Sequence, residues 1–308
     1  ATKLGLTQAA VSQALRGSTR ISPATRKRVA AAAREMDYRP NASARSTRTG
    51  RFQAVAAVSR PTVHEMHFNV LKGIMRGLEP HDMHMIGVEL PQSGLAQTGA
   101  VPRLLREYCV DGMIVHYTEK IPADTVAMVE STGVPVVWVN TDADHDCVNP
   151  DNVQAGHLAA TRLLNAGHRK IGFASRNTGK ADGRSSGSEC KHWRGYVHAM
   201  NEAELAPIAV PIPHAIDDLA AWLRAPLDCT ALILPSLHAA RQFRLAAATV
   251  GMYIPRDLSI IAFTNVPPPP DERDIDVVVN PMLELGKAAA AMLMQRLHDP
   301  APRPVATI

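Results

Sequence analysis

From residue 53 to residue 263 the chain alternates short apolar runs with helical patterns. Eight runs stand at 53–59, 83–90, 112–117, 134–139, 170–175, 208–213, 231–235 and 258–263. Each is nearly continuous in apolar residues, as a parallel strand covered on both faces requires. Between most of them the apolar positions recur at helical spacing, over about 66–79, 97–109, 123–132, 154–166, 190–203 and 237–250, with a further helix at 282–298. Strand and helix in alternation predict a doubly wound α/β body with parallel sheets. Eight strands exceed one ordinary sheet of this type, so the pattern predicts two lobes with a cleft between them. Pro267–Pro270 and Gly183–Ser188 read as loops, and PVATI at 304–308 reads as a returning strand.

With 308 residues, 46% hydrophobic and 20% charged, the chain has the composition of a packed protein. No apolar run approaches the roughly 20 residues of a membrane helix, and no apolar segment of a secretory leader opens the chain. The cysteines, Cys109, Cys147, Cys190 and Cys229, are widely spaced. That spacing predicts free thiols in a reducing cytoplasm.

The charge is uneven. Residues 1–51 carry eleven Lys and Arg against Glu35 and Asp37, a surplus of nine positive charges, while the remainder has 22 bases and 27 acids. A basic head on a mildly acidic body points to a polyanionic partner for the head alone. Within it, TQAAVSQALRGS (7–18) has Ala10, Val11, Ala14 and Leu15 on one helical stripe and Gln8, Ser12, Gln13 and Arg16 on the other face. Thr7 is placed as an N-cap and Gly17 as a C-cap. Ser22-Pro23 starts a second helix, with Val29, Ala32, Ala33 and Met36 on its apolar side, and Tyr38-Arg39-Pro40 stops it. ATKLG before it reads as a helix end and a tight turn at Gly5. Helix, glycine turn and short polar helix form a helix-turn-helix, whose second helix enters the major groove of DNA. The alternative is three small helices that pack only on themselves.

GLTQAAVSQALRG, ISPATRKRVAAAAREMDYRPN and ARSTRTGR together resemble the LacI/GalR family of transcription regulators over residues 5–51. The resemblance implies base reading by Gln8, Ala9 and Gln13, and phosphate contacts near Thr7, Ser12 and Arg16. Gln13 stands where the family more often has arginine, which implies an adenine preference. Asn41 to Ser46 matches the hinge helix that enters the minor groove of a two-fold operator, placing Asn41, Arg45 and Thr47 at DNA. Two positions depart from the family: its wedging leucine is Thr47, and an apolar hinge contact is Ser43. Only Ala1 to Leu4 remain of the first scaffold helix, so the chain is expected to be clipped there and to bind DNA more weakly.

The resemblance continues thinly through VDGMIV (110–115), GVPVVWVN (133–140), PDNVQAGHLAATRLLNAGHRKIGF (150–173), RGY (194–196) and IPRDLSIIAF (254–263). It implies a headpiece at 1–40, a hinge at 41–51 and, at 52–308, a two-lobed effector and dimerisation domain similar to periplasmic sugar-binding proteins. The lobe crossings fall near 153, 263–280 and 298. Ligands of such sheets lie at the C-terminal strand ends. That nominates Ser59, Arg60, Phe68, His116, Asn140, Ser175, Ser236 and Asn265.

Three effector positions of the family are altered: its arginine is Cys190, its Asn-Asp is Ser236-Leu237, and its acidic residue is Thr264. Sugars are held by bidentate Asp, Asn and Arg. Either the ligand is not a typical free sugar, or Arg184 and Trp193 supply the lost contacts, or the cleft is inert and only holds a dimer together.

HEMH (64–67) and HDMH (81–84) pair histidines three apart, with Glu65 nearby. The second pair straddles a turn into a strand, where such side chains diverge, so metal is not expected; His64, Glu65 and His67 fall instead on the loop rimming the pocket. No phosphate-binding glycine motif is present, and GKADGRSSG (179–187) lacks the P-loop spacing. The expectation is a cytoplasmic, homodimeric, effector-controlled repressor of a double-stranded operator, without cofactor or catalysis. The alternative is a solute-binding or enzymatic α/β protein with an incidental basic segment.

Overall fold

The computed structural model describes residues 1–15, 17–38, 46, 50–59, 66–89, 109–117, 121, 123–175, 187–213, 216–270 and 275–308. The chain divides into two compact units, Ala1–Phe52 and Gln53–Ile308.

The first unit is helical. A 3-10 turn over Thr2–Leu4 ends at Gly5, whose φ of 64° is left-handed. Helix α1 then runs over Gln8–Leu15 and α2 over Pro23–Glu35. Thr7 caps α1 by accepting from the Ala10 amide at 3.1 Å, and Ser22 caps α2 by accepting from the Thr25 amide at 3.2 Å. Val29 and Ala14 form the buried centre. Met36, expected on the apolar side of α2, is exposed beyond the last turn of the helix.

The second unit contains two parallel sheets, which define two lobes. In the first lobe the described elements are β1 (Ala54–Ser59), α3 (Phe68–Leu78), β2 (His84–Glu89), β3 (Gly112–His116), α4 (Ala123–Ser131), β4 (Val136–Val139) and β5 (Cys147–Asn149). In the second they are α5 (Asn152–Asn165), β6 (Ile171–Ser175), α6 (Ser188–Glu202), β7 (Ile208–Pro211), α7 (Ile216–Leu223), β8 (Ala231–Leu234), α8 (Leu237–Thr249), β9 (Ser259–Thr264) and β10 (Asp276–Val279). Helix α9 (Met282–His298) and β11 (Ala306–Thr307) return to the first. The strand orders are β11-β5-β4-β3-β1-β2 and β10-β9-β8-β6-β7.

The apolar runs are continuous because each sheet is covered on both faces. In β1, Val55 and Ala57 join α3 and α9, whereas Ala54, Ala56 and Val58 face the other way with Met113, Val115 and Trp138. In β9, Ile261 and Phe263 pack under α5 and α6, whereas Ile260 and Ala262 pack under α7 and α8. The edge strands differ from the sequence expectation. Strand β7 alternates half-buried and exposed residues and β2 mixes them, because an edge lies beyond the full cover of the helices.

β11 falls within the returning strand expected at 304–308, whereas β5 and β10 are not among the expected runs. β5 has three residues, β10 follows a polar stretch, and β11 has two. Helix α7 is likewise additional, and most of the helix expected over 97–109 lies outside the described residues. The chain passes to the second sheet after β5 and returns after β10. The stretch expected to cross again after 298 stays with the first sheet, since β11 pairs with β5.

Each lobe contains one helix pair in backbone contact. A Cβ on Gly73 of α3 would lie 2.2 Å from the Leu283 carbonyl oxygen, and one on Gly286 of α9 would lie 2.1 Å from that of Val70. In the second lobe a Cβ on Gly156 of α5 would stand 1.9 Å from the His192 oxygen, and one on Gly195 of α6 would stand 1.9 Å from the Val153 oxygen. Tyr196, fully buried one residue on, donates to the Ile171 carbonyl and accepts from the Ile208 amide, both at 2.7 Å. Burial pushes its pKa up to about 12.

Gly156→Ala is therefore expected to destabilise the protein by about 3 kcal/mol, the upper part of the overpacking range. Gly87→Ala, where a Cβ meets open space, should change stability by less than about 0.5 kcal/mol. Urea denaturation of both variants checks this, and equal effects would contradict it.

Candidate nucleic-acid interface and effector cleft

Helix α1 presents two faces. Ala14 is buried and Ala10, Val11 and Leu15 are half-buried around it. On the opposite side Gln8 and Ala9 are exposed and Ser12 and Gln13 half-buried. No aromatic or branched side chain stands on that face, so a flat surface of amides and hydroxyls can approach base edges closely. The turn after the helix is held by Gly17, φ 72°, and by Arg26 of α2, whose Nη1 donates to the Gly17 carbonyl at 3.0 Å. Lys3 pairs with Glu35 at 2.8 Å, which ties the N-terminal turn to the end of α2. Arg20, Lys27, Arg28 and Arg34 are exposed. Arg16, Asn41, Arg45 and Thr47 lie outside the described residues.

The sheets bring most of the nominated cleft residues to matching ends. In the first sheet β1 pairs with both β2 and β3, and in the second β6 pairs with both β7 and β8. These are the points where strand order reverses, and ligands of such sheets bind there. Ser59 ends β1, His116 ends β3 and Asn140 follows β4 with a left-handed φ of 60°. Ser175 ends β6, Thr264 ends β9 and Ser236 follows β8.

Several of these groups already have local partners. Ser236 caps α8 by accepting from the Ala239 amide at 3.1 Å. Thr264 donates to the Val266 carbonyl at 2.9 Å. Asn265 accepts from the Asn280 amide group at 3.0 Å, and its carbonyl accepts from Asn69 of the first lobe at 3.5 Å.

Three nominated residues stand elsewhere. Phe68 lies on the face of α3 opposite the core residues Val70, Ile74 and Leu78. Trp193 packs edge-on to Phe173 at 5.5 Å and against Tyr196 at 5.1 Å. Its ring serves the second lobe's core, where helical spacing carries it past the mouth of the cleft. Cys190 is buried within α6. Arg60, Arg184, His64 and Glu65 are outside the described residues, and His67 caps α3 by accepting from the Asn69 amide at 3.2 Å. Burial lowers the pKa of His67, which favours the neutral ring that a cap requires.

The first turn of α6, which follows β6 at the cleft, carries groups that sequence reasoning passed over. Glu189 accepts from Ser175 Oγ at 2.5 Å. Lys191 pairs with Asp142 of the first lobe at 2.7 Å. His192 stacks on Phe263, ring centroids 3.7 Å apart and 6° from parallel. Its Nε2 is buried with no hydrogen-bond partner among the described residues. The available signal was position: the helix after a central strand starts at the strand's cleft end.

The chain thus joins a helix-turn-helix to a two-lobed α/β domain of the sugar-binding type. Residues 1–41 match the family described as bacterial regulatory proteins, lacI family. Residues 52–213 match the periplasmic binding proteins and sugar binding domain of that family, and residues 160–308 a periplasmic binding protein-like domain. The ribose operon repressor of Haemophilus influenzae is 25% identical over 94% of this chain and 88% of its own. The HTH-type transcriptional regulator AglR of Rhizobium meliloti is 26% identical over 96% and 84%. Among solved structures, the Lac repressor dimer bound to operator has a TM-score of 0.76 at 16% identity, over 98% of this chain and 93% of that one. This chain belongs to the LacI family and is a DNA-binding transcriptional regulator.

Burial pushes the His192 pKa down to about 3. The folded state then takes up its proton later than the unfolded chain, whose histidine titrates near 6.5. The stability this neutral ring contributes is present above about pH 6.5 and is lost as pH falls toward 3. Between pH 7 and pH 4 that loss is about 3 kcal/mol. His192→Leu should remove that part of the acid sensitivity, read by urea denaturation at both pH values; an unchanged slope would contradict the assignment.

Proposed function

We propose that this protein is a cytoplasmic repressor that binds a two-fold DNA operator as a homodimer and answers to a small polar effector held between its lobes. The observation that carries the reading is the flat polar face of α1 on a headpiece with nine surplus positive charges. Gln8, Ala9 and Gln13 read bases, and Thr7 and Ser12 approach phosphates. The hinge residues Asn41, Arg45 and Thr47 enter the minor groove, and Arg16 grips the backbone.

The effector is a sugar or a related metabolite. A relative is named a ribose operon repressor, and similar solved regulators hold cellobiose and ribose. Ser59, Arg60, His116, Asn140, Ser175, Arg184 and Asn265 contact it. The protein carries out no reaction; the relatives named above are regulators. Among the described residues no helix is long and apolar enough to cross a membrane.

The dimer forms through the outer face of α3. Phe68 is 67% exposed and Met75 44% exposed, two helical turns apart on that face. A homodimer also fits the likeness to the Lac repressor dimer bound to operator.

Operator affinity should fall steeply with salt, because phosphate contacts release counterions. A gel-shift titration from 50 to 200 mM salt tests this, and a flat slope would overturn the reading. Gln13→Ala should shift preference at one operator position by ~1–3 kcal/mol; a uniform loss across operator variants would contradict its role. Phe68→Asp combined with Met75→Asp should move the protein to monomer in sedimentation velocity and weaken operator binding with it. A dimer that survives both changes places the interface elsewhere.

A further inference from the structure

Most ion pairs among the described residues stay within one lobe or within the headpiece. Arg162–Asp276 and Lys170–Asp228 lie in the second lobe, and Arg296–Asp146 in the first. Lys191–Asp142 is different: it spans the cleft. Asp142 belongs to the segment between β4 and β5, and Lys191 to the first turns of α6. The Lys191 side chain is 19% exposed and that of Asp142 44% exposed. The Lys191 side chain is thus largely covered, with a carboxylate of the opposite lobe 2.7 Å from its ammonium.

Both ends of the pair are anchored. Beside Asp142, the Thr141 amide donates to Asn149 Oδ1 at 2.9 Å, and Cys147 Sγ donates to the Thr141 carbonyl at 3.3 Å. Beside Lys191, the next residue is clamped by its stack on Phe263, and Gly195 holds α6 against α5. An ion pair between two floppy side chains on mobile loops would rarely bias anything. Here it joins two positions that their own lobes already fix. Another cross-lobe polar contact, Asn69 to Asn265, is long at 3.5 Å.

We propose that Asp142 and Lys191 form a latch across the cleft, which holds the lobes together in the absence of effector and sets the equilibrium that the effector shifts. The latch rests on the two-lobed regulatory reading only for its consequence on DNA; its effect on lobe separation stands by itself. A ligand moves such an equilibrium only by its difference in affinity for the two arrangements, so a latch fixes the starting population that binding must overcome or reinforce.

The test measures lobe separation in the full-length, effector-free protein. Spin labels at Glu130→Cys on α4 and Asn201→Cys on α6, both exposed, are introduced in a Cys109→Ser background. Labelled chains are diluted with unlabelled ones so that each dimer carries one labelled pair, and the distance distribution is read by electron–electron resonance. Asp142→Ala and Lys191→Met should each raise the population of a second distance about two- to five-fold, the range open to a partly exposed pair. The double exchange Asp142→Lys with Lys191→Asp should restore the parent distribution, and 1 M salt should reproduce the single variants. Single variants that leave the distribution unchanged overturn the latch, and so does an exchange that behaves like the singles. A parallel gel shift keeps the two readings apart. Altered distances without altered operator affinity uphold the latch and sink its regulatory consequence.

Discussion

The constraint on which the second unit depends is backbone contact between helices. α3 meets α9 at Gly73 and Gly286, and α5 meets α6 at Gly156 and Gly195, with no room for a Cβ at any of the four. Two helices that share one sheet face are thereby drawn closer than side chains would allow, and their N-terminal turns are set over the strand ends. Those turns supply much of the cleft. α3 begins with the His67 cap and Asn69, and α6 begins with Glu189, Lys191 and His192. A helix displaced by one side-chain thickness would move these groups by an ångström or more, enough to break a hydrogen bond whose useful range spans about half an ångström. The core and the site are therefore one packing problem.

The sequence made the repeating parts legible. Strands such as 231–234 and 259–264 read as apolar runs because both faces are covered, and burial on two sides removes any alternation that a half-exposed strand would show. Capping residues marked helix starts at Ser22 and Thr7, where a side-chain oxygen meets an amide that the helix leaves free. β5 escaped because the three residues Cys147–Asn149 carry too little periodicity to register. β10 is given its place by its partner β9 rather than by its own composition.

The candidate site was legible by position and not by contact. Ser59, His116 and Ser175 follow from the rule that ligands lie at strand ends, because strand ends can be located from the runs. What the side chains do there depends on neighbours far along the chain. Ser236 and Thr264 stand at the ends of adjacent strands, yet one hydroxyl is taken by a helix cap and the other by its own loop. Trp193 reads as a large cleft aromatic, but helical phase turns it onto Phe173. Lys191 carried no signal at all, since its partner Asp142 lies 49 positions away on a different sheet.

A headpiece of this size explains why the rest of the protein must exist. α1 is eight residues long and exposes one narrow face, which spans only a few base pairs. Contacts of that extent discriminate by a few kcal/mol, too little against a genome of competing sites. Doubling the reading head is the direct physical remedy, because two half-sites held at fixed spacing add their discrimination and admit only matched geometry. Such spacing requires a rigid platform, which in the proposed homodimer is the packed α/β body. The proposed latch across the cleft sets how that platform divides between two packings. Control of DNA binding then needs no contact between ligand and DNA, only a ligand that prefers one of the two packings.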